Sequence, residues 1–148
     1  NNNNMYLLLN LSEKDIVYLA LFDERNYQEK KYAGQNRELL KCVDLLFKNL
    51  KFKIKNLKGI MCVVGAGGFT STRVAAVIAN TLAYTLQIPV LAITVAQLFL
   101  SYDKHPFDDQ TGQSNSVQKL IPKLLKQHIG QYISPTYSGE PNIGKKKK

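Results

Sequence analysis

Apolar and polar positions fall in blocks along the first third of the chain. Met5–Asn10, Ile16–Phe22 and Tyr27–Ala33 read as β-strands, parted by the polar stretches Ser12-Glu13-Lys14-Asp15 and Asp23-Glu24-Arg25-Asn26. Polar links that short predict an antiparallel meander. After Gly34 the period changes: Leu39, Leu40, Val43, Leu46, Phe47 and Leu50 recur at helical spacing, opposite Arg37, Lys41, Asp44 and Lys48. Next come a buried-strand run at Ile60–Val64, a turn at Gly65–Gly68, a helix over Thr70–Leu86 and a further strand at Val90–Thr94. Strand, helix and strand joined by short turns predict a parallel pair with a right-handed crossover. Beyond Ser101 the pattern weakens. Residues 103–115 are polar and loop-like, and Val117, Leu120, Ile121, Leu124, Leu125 and His128 predict a short amphipathic helix, with Pro122 as its kink or its first turn. Ser134 to Lys148, rich in Pro, Gly and Lys, predicts an extended tail.

Length and composition narrow this to one domain. The chain has 148 residues, 45% hydrophobic and 21% charged, which suits one folded core and excludes disordered and fibrous classes. Its net charge is +9, but four of those charges are Lys145 to Lys148, leaving +5 on the body, an ordinary value for a globular domain. Asn1 to Asn4 form a second low-complexity end. No charged residue occurs from Val74 to Tyr102, yet Asn80, Thr81, Thr85, Gln87, Pro89 and Gln97 interrupt that stretch, so it predicts a buried helix and strand and no membrane span. Cys42 and Cys62 are far apart and form no CxxC pair, and no secretory signal opens the sequence, so a reducing, cytoplasmic setting is expected. Both cysteines read as small core hydrophobes.

Candidate chemistry concentrates in Val64-Gly65-Ala66-Gly67-Gly68-Phe69-Thr70-Ser71-Thr72-Arg73, a strand end, a glycine turn and a helix start. Backbone amides at such a turn can cradle an anion, which makes Gly65, Gly67, Gly68 and Thr70 a candidate anion-binding turn; the same glycines also serve simply to pack helix against strand. The sequence lacks the Gly-Lys-Ser/Thr of a P-loop and the third glycine of the dinucleotide fingerprint. Asp103, His105, Asp108 and Asp109 form an oxygen- and nitrogen-rich loop, but Pro106 interrupts it and no second ligand cluster joins it, so no metal site is expected. Lys48, Lys51, Lys53, Lys55 and Lys58, interleaved with Phe52 and Ile54, make a basic stretch that reads as a solvated connector or as a weak contact for tRNA phosphates.

The glycine turn resembles the Gly-Pro-Gly-Ser-Phe-Thr-Gly-Leu-Arg-Ile-Gly signature of the TsaB (YeaZ) family, with Gly65, Gly67, Phe69, Thr70 and Arg73 in matching positions. Gln35-Asn36-Arg37-Glu38-Leu39-Leu40 and Gln87-Ile88-Pro89-Val90 extend the resemblance over Met5 to Leu100, and Pro135-Thr136-Tyr137 resembles the family's closing Pro-x-Tyr. Ala66, Gly68, Ser71 and Ala75 depart from it. The resemblance implies an α/β, ribonuclease H-like (actin-like) lobe with a mixed five-stranded sheet and a truncated second lobe. On that division residues 1–4 are a low-complexity start, 5–100 the N-terminal lobe, 101–133 a reduced second lobe and 134–148 a basic tail.

The implied function is that of a non-catalytic scaffold in tRNA threonylcarbamoyladenosine synthesis at position 37. The family's members bind a catalytic TsaD-type paralogue, together with a TsaE-type small ATPase. The paralogue's His-x-x-x-His metal motif is missing, since His105 and His128 are too far apart to form it. Asn10, in the position of the superfamily's strand-1 aspartate, supplies no charge for a metal. No cofactor is expected. The resemblance also implies that helices 1 and 2 pack on the matching pair of a second subunit, through Leu39, Val43, Phe69, Arg73, Ala75, Ala76, Ala79 and Ala83. The pattern agrees: Val74, Val77, Ile78, Leu82 and Leu86 spread apolar surface beyond one sheet-facing stripe, and Ala75, Ala79 and Ala83 recur every four residues. A homodimer when alone, exchanging for the paralogue, is the expectation, and Ala79→Glu is expected to break it without unfolding the chain if Ala79 faces outward. A small nucleotide-binding enzyme and a basic RNA-binding module remain the alternatives.

Overall fold

The computed structural model describes residues 4–34, 36–65, 69–98 and 116–134. Five strands form one mixed sheet: β1 (Met5–Asn10), β2 (Ile16–Phe22), β3 (Tyr27–Ala33), β4 (Leu57–Val63) and β5 (Val90–Ile93), in the order β3-β2-β1-β4-β5. The meander β1-β2-β3 is antiparallel, with Leu8 opposite Ala20 and Tyr18 opposite Lys31. β4 adds to the other side of β1 in parallel, Leu7 opposite Ile60, and β5 follows in parallel, Met61 opposite Leu91. This order and direction of strands is the ribonuclease H-like lobe that the element order suggested.

Side chains alternate across the pleat, and both faces of the central strands are covered, which is why those strands read as unbroken apolar runs. On one face Leu7, Leu9, Leu19, Leu21, Ile60 and Cys62 pack under α1 (Leu39–Asn49) and α2 (Phe69–Leu86). On the other, Leu8, Ala20, Phe22, Met61, Val63 and Ile93 meet Val117, Ile121 and Leu124. The edge strand β3 exposes Gln28, Glu29, Lys30 and Lys31, and charged residues on an open edge disfavour pairing with a further strand.

Both long helices stop by one device. At the end of α1, Phe52 N–H donates to the Phe47 carbonyl (3.0 Å) and Lys51 N–H to that of Lys48 (3.2 Å), while Phe47 and Phe52 meet edge to face at 5.6 Å between ring centres. At the end of α2, Ile88 N–H donates to Ala83 (3.0 Å) and Gln87 N–H to Tyr84 (3.3 Å). These are Schellman closures, which need a left-handed residue, usually glycine. Lys51 (φ 56) and Gln87 (φ 57) take that place here.

Residues 116–134, expected in a separate reduced lobe, pack on this same sheet. A helical turn over 116–119 leads to α4 (Ile121–Leu125), after the short α3 (Val95–Leu98). Pro122 lies in the first turn of α4, so it starts a helix and does not kink one, and the helix ends before His128. A Cβ on Gly59 would stand 2.7 Å from Leu124 Cδ2 and 3.1 Å from Tyr6 Cδ1, so glycine is what lets α4 seat on β4. Past α4 the chain crosses to the opposite face. There the Asn80 side chain of α2 donates to the Ile133 carbonyl and accepts from the Ile133 N–H, both at 3.0 Å. Tyr132 adds a tilted ring contact with Tyr84.

Candidate functional site

β1 and β4 run parallel with Leu9 opposite Cys62, so Asn10 and the glycine turn share one end of the sheet. Gly65 adopts φ 85, a conformation that favours glycine, directly after Val64 N–H donates to the Ile93 carbonyl at 2.9 Å. Gly67 and Gly68 lie outside the described residues, as do the side chains of Phe69 and Thr70. Asn10 Oδ1 accepts from both the N–H (3.0 Å) and the hydroxyl (2.6 Å) of Ser12, closing the β1–β2 turn. Its amide is thus committed to local structure and carries no charge. The loop with Asp103, His105, Asp108 and Asp109 lies outside the described residues. Among the described residues no three His, Cys, Asp or Glu side chains gather as a metal site, and no helix is long and apolar enough to cross a membrane. Cys42 and Cys62 are both buried free thiols; burial raises the Cys42 pKa and pushes that of Cys62 up to about 12, far from a nucleophile's range.

The expected partner-contact residues divide, and most of them require correction. Leu39, Val43, Ala75, Ala76, Ala79 and Ala83 are buried, and all of these but Ala76 belong to the core cluster beneath α1 and α2. The alanine stripe lets a helix approach closely, as read, but what it approaches is the chain's own sheet. Small residues on the inward face bring α2 down onto β4, so its larger residues are left outside. Arg73 is exposed, with Val77 (60%) and Tyr84 (65%) on the same outward side, and α1 turns Leu40 (56%) and Leu45 outward. Ala79→Glu would therefore strike the core and not an interface.

Between α1 and α2 lies an apolar groove of about 580 Å³, lined by Leu40, Val43, Phe47, Phe52, Ile54 and Leu82 and rimmed by Asp44, Lys48, Lys51 and Lys53. The Schellman closure builds one wall: it turns the chain so that Phe52 packs on Phe47 and Lys51 stands at the mouth. Lys48 and Asp44 pair at 3.1 Å along the exposed side of α1, whereas Lys51 and Lys53 have no carboxylate within ion-pair distance among the described residues. Phe52, Lys51 and Lys53 were visible in the sequence only as part of a basic connector. Their approach to Leu82, a contact across α2, had no signature there.

On the other side of the sheet Tyr18 hydroxyl donates to Glu29 and meets Tyr27 hydroxyl at 2.9 Å. Burial raises both phenol pKa values, which keeps them protonated donors. This network ties β2 to the exposed edge strand, and no sequence pattern announced it.

Residues 33–106 match the family model described as TsaD: tRNA N6-adenosine threonylcarbamoyltransferase. Among solved structures, YeaZ from Pseudomonas aeruginosa is similar at 25% identity and a TM-score of 0.61, over 70% of this chain and 50% of that one. A second, titled an uncharacterized protein with similarity to peptidase YeaZ from Pseudomonas aeruginosa, gives 26% identity and a TM-score of 0.61 with the same coverage. The chain thus spans half the length of these two structures. No curated protein matches it.

Proposed function

The chain belongs to the family described as TsaD, tRNA N6-adenosine threonylcarbamoyltransferase, as a protein of the TsaB (YeaZ) type, and on that premise we propose that it serves tRNA threonylcarbamoyladenosine synthesis as a non-catalytic subunit holding a TsaD-type paralogue. The observation that carries this reading is the apolar groove between α1 and α2, bordered by the outward Leu40 on a helix that otherwise shows charge to water. The resemblance implies that this pair of helices receives the second subunit, and that a TsaE-type small ATPase joins through the same assembly, in the cytoplasm. Asn10 supports a subunit without its own chemistry: it offers an uncharged amide, already bound to Ser12, where a metal-dependent member would present a carboxylate.

The test is co-purification of the full chain with the TsaD-type paralogue from the same source. Leu40→Asp, at an exposed position, is expected to abolish capture while leaving the melting temperature of the chain unchanged. Capture that survives Leu40→Asp and a second groove variant, Ile54→Asp, would overturn the reading.

A further inference from the structure

The lysines at the mouth of the groove say something about its occupant that the fold does not. Resting on the reading above, we infer that the α1–α2 groove selects a partner helix flanked by acidic side chains and rejects a second copy of this chain.

The floor, Val43, Phe47, Phe52 and Leu82, is apolar and suits the apolar stripe of an amphipathic helix laid between α1 and α2. The mouth is cationic. Lys51 and Lys53 stand there without carboxylate partners, and the rim's one acidic residue, Asp44, is already engaged by Lys48. Lys41, Lys55 and Lys58 are exposed on the same stretch of chain. A two-fold dimer through this surface would be isologous, setting each patch against its own copy. Lysine would then face lysine around an apolar seam, with desolvation adding to the repulsion. An acidic-flanked helix meets the same rim with opposite charge and gains in both association rate and specificity.

Lys51 supplies independent support. It occupies the left-handed position of the α1 closure, where glycine is the usual residue and a lysine is strained. The closure also fixes its backbone at the mouth, through its own N–H to Lys48 and the next residue's to Phe47. Other occupants fit less well. The chain's own end, residues 135–148, carries one Glu against four Lys and would be repelled. A nucleic-acid backbone would satisfy the rim but leave the apolar floor unfilled.

The experiment uses the full chain and two synthetic amphipathic helices with one leucine–alanine face, one flanked by glutamates and the other by lysines. Fluorescence anisotropy at low and high salt is expected to show the glutamate-flanked peptide binding at least about tenfold tighter, a margin that shrinks with salt. Combining Lys51→Glu with Lys53→Glu should reverse the order, and Leu40→Asp should remove both. Wild-type chain should sediment as a monomer. Equal binding of the two peptides would overturn the inference, as would a dimer lost on Leu40→Asp. So would a chain that ignores both peptides while tRNA binds it and is lost with the two lysines. If the TsaD-type paralogue is captured but indifferent to the double charge reversal, the charge selection falls and the partner reading stands. If the glutamate-flanked peptide binds as expected and the paralogue is not captured, the inference stands and the partner reading falls.

Discussion

Ala79 and Val77 sit two positions apart on α2 with opposite surroundings, and substitution separates them. Ala79 has no exposed surface, so a carboxylate there has neither water nor a partner. Ala79→Glu is expected to cost about 4 kcal/mol or more and to leave the chain unfolded by circular dichroism, whereas Val77→Glu should leave the melting temperature within about a degree. Lys51→Gly runs the other way: removing the left-handed strain should stabilise the chain by about 1 kcal/mol and raise the melting temperature by a few degrees. Cys62 sets an alkaline limit. Burial lifts its pKa from 9.0 to about 12, so the thiol keeps its proton in the fold at a pH where the unfolded chain gives it up. The stability this contributes is whole below pH 9 and is lost progressively as pH climbs towards about 12. Tyr18 and Tyr27, also raised, act in the same sense at higher pH. Denaturant midpoints measured from pH 8 to 11 should fall for the wild type and fall less steeply for Cys62→Ala.

Elements were legible wherever the local pattern and the tertiary fold want the same thing. The three strands of the meander run over Met5–Asn10, Ile16–Phe22 and Tyr27–Ala33, the segments their apolar runs marked, because polar turns bound them on both sides. β4 begins at Leu57, earlier than the apolar run at Ile60, since Lys58 points to water and Gly59 has no side chain to report what lies above it. Helix ends carried weaker signals: Lys51 and Gln87 stand where glycine would have announced a stop. The orientation of α2 was misread because alanines satisfy two patterns at once, a close helix–helix contact and a close helix–sheet contact, and spacing alone cannot tell them apart. The groove was invisible for a related reason, as its lining joins α1, the following turn and Leu82, and only the fold assembles them. The strap to Ile133 rests on one amide. Asn80→Ala removes both of its hydrogen bonds and is expected to cost about 1 to 3 kcal/mol, with faster amide exchange at Ile133 than in the wild type as the readout.

At the scale of the whole molecule, the sheet joins parts that the sequence keeps far apart. Asn80 and Ile133 are 53 positions apart, and the helix that covers the second face of the sheet follows the last strand by more than twenty residues. The family-matched segment, residues 33–106, contains neither β1, the middle strand, nor the helix seated on Gly59. Ancestry and folding are therefore cut at different places along this chain. A fragment trimmed to the matched segment would keep the α1–α2 groove residues and lose the strand on which β4 is laid. It should be recovered as aggregate, however well it aligns, while residues 4–134 should suffice for a soluble, cooperatively melting body. What descends as one recognisable stretch can be stable only in the company of the less recognisable sequence on either side.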